Sequence, residues 1–266
     1  MKTQEILITP EIALNFLKSN TRNRQLKEEV VLEYARLMKA NLWMENGEPI
    51  IFGKGNILLD GQHRLGAIVK SGKSQNCLVV FDVNPDAFST IDVGKIRSGG
   101  DILYINGVKD SKKISSIISA YHATRKGYYT ANNNRGISRV EILNIFNENP
   151  EFWIEINKKS NIFYKKIALL TASTIGGYMA FLILDKKHDK DFVFNFFFQL
   201  FFAENIENNS IILLREKYLK NLTKQYKITK EYKKAIFIKS WNNYVSKTDA
   251  KVLHYNPVIE SLPNFI

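Results

Sequence analysis

Asp60, Gly61, Gln62, His63 and Arg64 concentrate polar chemistry at one turn of the chain. They follow the apolar run Ile57-Leu58-Leu59 and lead into Leu65-Gly66-Ala67-Ile68, the pattern of a buried strand that turns straight into a helix. A helix that starts this way aims unpaired backbone N–H groups and the positive end of its dipole at one spot, which suits a phosphate or a carboxylate. Gly61 lets the backbone approach a ligand closely, and His63 and Arg64 add side-chain donors. Arg64 offers planar, bidentate contacts to a phosphate. Asp60 is the one acid of the turn. It can bind Mg²⁺, orient a hydroxyl or act as a base, and equally it can close an Asx turn or cap the following helix. His63 has the same two faces, phosphate ligand or satisfied structural histidine.

Other chemistries find less support. Cys77 is the only cysteine, so neither an intrachain disulfide nor a cysteine-based zinc cluster can form. His122, His188 and His254 are scattered without ligand spacing. No P-loop occurs, because Gly94-Lys95-Ile96 lacks both the upstream glycine and the Ser or Thr.

The elements that must position the turn are legible nearby. Ile6-Leu7-Ile8 reads as a strand, and Thr9-Pro10-Glu11 as a helix start with Thr9 as N-cap, running to about Lys18. The polar segment 19–25 is a loop, after which Val30, Tyr34, Leu37 and Met38 recur at helical spacing up to Trp43. Pro49–Phe52 and Ile57–Leu59 flank Gly53-Lys54-Gly55-Asn56, a β-hairpin pattern. A helix from Gln62 to Ser71 and a strand at Cys77–Phe81 complete an α/β unit. Residues 88–101 form a glycine-rich loop carrying Asp92, Lys95 and Arg97, read either as a linker or as a second contributor to the Asp60–Arg64 site. Beyond residue 101 helical patterns dominate, broken at 129–136, 157–161, 185–191 and 204–210. Ser138-Arg139-Val140-Glu141 is a capping box. Phe192–Phe202 is apolar nearly all round and is expected at the centre of a helical bundle. Asn256–Ile266 reads as an irregular tail. The expected fold class is α+β, with a small α/β domain over residues 1–97 and a mainly α-helical domain over 98–266.

The chain of 266 residues, 45% hydrophobic, can bury a core. Its charge of +12 is uneven: residues 1–95 carry 12 Lys+Arg against 11 Asp+Glu, a net of +1, which leaves a net of +11 for residues 96–266. A basic domain beside a neutral one is expected if the second holds a polyanion such as DNA. Lysine-favouring codon usage and ordinary solvated faces are the competing reading. The lysines at 230, 233, 234 and 239 face the same choice between phosphate contacts and a wet helix face. The most apolar stretches are shorter than the roughly 18 residues of a bilayer span, and the start of the chain shows no signal-peptide pattern. Together with the lone cysteine this gives the expectation of a cytoplasmic protein without membrane contact.

The run Ile51-Phe52, then Leu58-Leu59-Asp60-Gly61-Gln62-His63-Arg64-Leu65-Gly66-Ala67, preceded by Asn23-Arg24 and Asn41-Leu42-Trp43, resembles the ParB/sulfiredoxin-like domain in a form common among phage and mobile-element proteins. The resemblance covers roughly residues 5–95. It implies a GxxR-type box that holds nucleotide phosphates, carried here by Gly61, His63 and Arg64, with Arg24 in the arginine-bearing segment that precedes the first core helix. In this superfamily ParB proteins bind DNA and a cytidine nucleotide, sulfiredoxins use ATP to repair an oxidised cysteine, and free-serine kinases phosphorylate a small molecule. Gln62 stands where sulfiredoxins carry their cysteine. The kinase-like box Asp-Gly-His-His-Arg matches at Asp60, Gly61, His63 and Arg64.

The expectation is therefore a nucleotide-binding, DNA-engaging protein. Arg24, Gly61, Gln62, His63, Arg64 and Asp92 would contact a nucleoside triphosphate, ATP or CTP. Asp60 and His63 would be the catalytic residues of any turnover, and Asp60 the ligand of an accompanying Mg²⁺. The alternatives are a nucleotide-dependent phosphotransferase or phosphohydrolase, with an acid such as Glu48 assisting Asp60, and an interaction protein with a vestigial site. A homodimer is left open.

Overall fold

The turn is carried by a mixed four-stranded sheet in the computed structural model, which describes residues 1–21, 23, 25–84, 97–127 and 137–266. The chain is α+β and divides into two compact units, Met1–Ile96 and Arg97–Ile266.

In the first unit β1 (Lys2–Ile8) leads through the Thr9 cap into α1 (Pro10–Leu17). The Thr9 hydroxyl accepts the Ile12 amide at 3.3 Å, as the Thr-Pro signal requires. α2 (Glu28–Lys39) stops short of Trp43, because Asn41 turns left-handed (φ 55°); Trp43 instead packs on Tyr34 of α2, ring centroids 4.9 Å apart. β2 (Ile50–Gly53) and β3 (Ile57–Asp60) form the expected hairpin, α3 (Gln62–Ser71) follows at once, and β4 (Gln75–Val83) closes the unit. The strand order is β1-β4-β2-β3, with β2 parallel to β4 and the other pairs antiparallel. Ile8, Phe52, Leu58 and Val79 from the strands meet Ala13, Met38, Leu65 and Ile68 from the helices in one buried core. The pairing of β2 with β3 slips between Ile51 and Phe52, so Leu58 faces Phe52 while Asp60 faces Ile51. An irregularity of this kind re-aims the side chains beyond it, and here it lies immediately before the turn.

The described elements of the second unit are all helices: α4 (Gly99–Ile105), α5 (Ser111–Arg125), α6 (Arg139–Glu148), α7 (Pro150–Lys166), α8 (Ala172–Leu184), α9 (Lys190–Phe202), α10 (Asn209–Leu222) and α11 (Lys230–Val245). The capping box at Ser138 and Glu141 opens α6. α9 lies in the core, with Phe196, Phe197, Leu200 and Phe201 fully buried against Phe163 of α7 and against Phe237 and Trp241 of α11. The break expected at 157–161 does not occur. Asn157 is buried in mid-helix, and the Asn161 amide donates to its carbonyl at 2.6 Å and to its side-chain oxygen at 2.8 Å, so the polar pair satisfies itself without interrupting α7. The stretch 129–136 lies outside the described residues. The tail 256–266 is irregular, and it seats Phe265 among Tyr178, Phe181 and Phe237. No helix among the described residues is long and apolar enough to cross a membrane.

Candidate functional site

Gly61 makes the turn possible. Its φ of +101° lies in the left-handed region, and a Cβ there would stand 2.9 Å from Cγ1 of Ile50. Both the dihedral and the close packing of β3 on β2 therefore call for glycine. As the N-cap of α3, Gly61 supplies no side-chain acceptor. The first intrahelical bond runs from the Leu65 amide to the Gly61 carbonyl at 3.0 Å, so the N–H groups of Gln62, His63 and Arg64 precede the helix's own ladder.

The side chains of the turn are engaged by the protein itself. Arg64 is almost fully buried, and its guanidinium reaches backward: it donates to the carbonyl of Glu48, to the carbonyl of Pro49 at 2.7 Å and to the Asp60 carboxylate at 3.1 Å. It thus fastens the segment entering β2 to the start of α3 and neutralises Asp60. Glu48, the candidate assisting acid, contributes its backbone carbonyl to this clamp while its side chain is exposed. His63 accepts the backbone N–H of Lys27 at Nε2, 3.1 Å, tying α3 to the N-cap of α2. An imidazole accepting at Nε2 is unprotonated there.

Gln62 belongs to a network that sequence spacing could not reveal. Its Oε1 accepts from Asn20 at 3.0 Å; Asn23 donates to the Asn20 side chain at 2.7 Å and to the Leu58 carbonyl at 2.8 Å. The Leu58 amide in turn donates to the Ser19 carbonyl. The polar loop after α1 is thereby laced along β3, the edge strand, and onto the first residue of α3. Its Asn, Ser and Thr content was the one visible signal. Arg24 lies outside the described residues. So do Asp92 and Lys95 of the glycine-rich loop, while Gly99 and Gly100 of that loop form the first turn of α4 in the second unit. The structure therefore brings together Asp60, Gly61, Gln62, His63 and Arg64.

Two chemistries can be weighed on this geometry. Magnesium fits the donor set poorly: Asp60 faces Arg64, and no group of three His, Cys, Asp or Glu side chains suited to a metal occurs among the described residues. Cys77 on β4 is half-buried, and burial pushes its thiol up, with Arg64 pulling it down and Glu45 raising it further. That is the setting of an inert thiol. An anion held by the amides of residues 62–64 remains compatible with every contact described above.

Neither protein-family models, curated proteins nor solved structures give a match to this chain.

Proposed function

We propose that the first unit is a ParB/sulfiredoxin-like nucleotide-binding domain and that the basic helical unit engages DNA in the cytoplasm. The observation that carries the first half is the start of α3, opened directly behind a buried strand by a glycine at φ +101° that has no side chain to cap it. Three backbone donors and the helix dipole converge there, which is the chemistry of a phosphate site. The residues have divided roles on this reading. Gly61 and the amides of residues 62–64 hold phosphate oxygens, Arg64 and His63 hold the turn in shape, and the Asn20–Gln62–Asn23 network fixes the neighbouring loop. ATP and CTP are the candidate ligands. The second half rests on the net charge of +11 carried by residues 96–266.

Differential scanning fluorimetry with ATP, CTP and their diphosphates tests the ligand. A concentration-dependent rise in melting temperature with a triphosphate supports the reading, and unchanged melting with all four removes it. An enzymatic use of the same site is favoured by one observation: Asp60 pairs with Arg64 through Oδ2, yet its side chain keeps about a third of its surface exposed (36%), within reach of a hydroxyl or water. Incubation with γ-labelled ATP and CTP separates the two. Phosphate release or transfer that disappears in Asp60→Asn establishes turnover, whereas saturable binding without release leaves a binding module.

A further inference from the structure

The helical unit contains a hollow that the nucleotide reading does not use. It encloses about 620 Å³ where α4, α5 and α6 meet, and three cations line it: Arg97 just before α4, Lys112 on α5 and Arg139 on α6. All three are exposed, and none is paired with a carboxylate among the described residues. Its floor is a face of α5 presenting Ser115, Ser116 and Ser119, which runs from Lys112 to Ser119. The hydroxyls of Ser116 and Ser119 donate back to the carbonyls of Lys112 and Ser115 at 2.8 Å, bonds that a stronger acceptor can replace. Among the described residues, no acidic one lines it.

The hollow is built rather than left over. A Cβ on Gly99 would fall 2.7 Å from the Ser115 hydroxyl and 2.5 Å from Cδ1 of Ile142, and one on Gly100 would fall 2.9 Å from Cα of Lys112. The two glycines thus let α4 lie directly on α5 and bring Arg97 to the same rim as Lys112. The hollow continues past Lys112, Ser116 and Ser173 into a second of about 360 Å³ that adds Lys113. Lys113 is itself paired with Asp110 at 3.0 Å.

We propose that this groove holds the phosphodiester backbone of a DNA strand through Arg97, Lys112 and Arg139. This rests on the DNA-engaging reading of the helical unit and gives it a location. Small-molecule pockets are lined mainly by apolar and aromatic side chains, whereas the larger hollow is lined by cations, hydroxyls and glycine backbone, with Ile137 and Ile142 as its apolar members. Its length also suits a polymer. From Lys112 to Ser119 α5 rises about 10 Å at 1.5 Å per residue step, which against roughly 3.4 Å of axial rise per phosphate accommodates two or three successive phosphates.

The test compares the intact chain with Arg97→Gln/Lys112→Gln/Arg139→Gln and with a control, Lys220→Gln/Lys224→Gln/Lys227→Gln, which removes equal charge from an exposed face of the same unit. Binding to a fluorescent duplex is followed by anisotropy across a salt series, with melting temperature measured to check folding. The groove variant is expected to lose roughly three from the slope of log K against log salt and, with affinity at 1 M salt unchanged, on the order of 500-fold in affinity at 0.1 M salt, by the counterion-release rule of about one unit per phosphate contact. The control is expected to change the slope by less than about one. Equal losses in the two variants, or an unchanged groove variant, overturn the groove assignment while leaving DNA binding intact. If the wild-type chain shows no salt-dependent DNA binding, the DNA-engaging reading itself falls. Pyrophosphate binding in the groove at micromolar concentration, lost in the groove variant while DNA affinity is kept, assigns the hollow to a free phosphate compound and overturns the proposal.

Discussion

Replacing Arg64 by alanine tests whether this arginine holds the fold or a ligand. The guanidinium bridges two backbone carbonyls, of Glu48 and Pro49, and one carboxylate, of Asp60, with only 10% of its side chain exposed. A hydrogen bond from a charged donor contributes about 1.5–3 kcal/mol, and the carbonyl left behind becomes a buried acceptor without a partner. Taking the lower value for each carbonyl gives about 3 kcal/mol. The Asp60 pair adds less than about 1 kcal/mol, because the carboxylate is 36% exposed and solvent screens it. Arg64→Ala is therefore expected to destabilise the first unit by about 3–4 kcal/mol, a large share of the 5–15 kcal/mol typical of a domain. Arg64→Lys should recover less than half of that, since an ammonium cannot span three acceptors, and Asp60→Asn should cost under about 1 kcal/mol. The readout is local to the first unit: hydrogen exchange of the β2 and α3 amides by mass spectrometry, beside urea denaturation of the whole chain. An Arg64→Ala variant within about 0.5 kcal/mol of wild type, with unchanged exchange in β2, would refute the clamp and return Arg64 to the ligand side of the site.

The other expectations are simpler to read. Gly61→Ala forces a Cβ into the left-handed region and against Ile50, so the first unit should lose about 1–3 kcal/mol in denaturant titration; an unchanged midpoint contradicts the account of the turn. His63→Ala removes the acceptor of the Lys27 amide and should cost about 1 kcal/mol while keeping triphosphate affinity within a few-fold, because the backbone does the binding. A tenfold loss in that variant at preserved folding would make the imidazole a direct ligand. In the helical unit, burial pushes the Lys234 ammonium down to about 8. The unfolded chain then binds more protons than the folded one between that value and the ordinary lysine range, so stability contributed at this position rises with pH from about 8 to about 10. The difference in melting temperature between wild type and Lys234→Met should shrink over that interval, and a difference that grows or stays flat sinks the assignment.

Short-range chemistry was readable in the sequence where one residue type had one job. Thr9-Pro10 and Ser138 with Glu141 could be read as helix starts, and the glycines around residue 55 as a hairpin turn, because caps and turns are decided within four residues. The DGQHR stretch could be identified as a turn for the same reason. What its side chains do could not be read, since Arg64 and His63 bind partners 15 and 36 residues away along the chain. The same holds for the lacing of Asn20 to Gln62 across 42 residues, and for the groove, where Arg97, Lys112 and Arg139 share no sequence spacing. Asn157 and Asn161 misled in the opposite direction: a polar cluster that reads as a break is, at a separation of four, a pair on one helix face.

The most direct measurement of the central claim is a calorimetric titration of ATP and CTP into wild type and His63→Glu. The glutamate keeps an acceptor for the Lys27 amide and favours the helix dipole, so folding should be preserved, but it sets a negative charge beside the amides of residues 62–64. Saturable binding of one triphosphate to wild type, weakened at least about tenfold in the variant, is the result the account predicts. Absence of heat with either nucleotide, or equal affinity in wild type and a folded His63→Glu, would contradict a phosphate site at the start of α3.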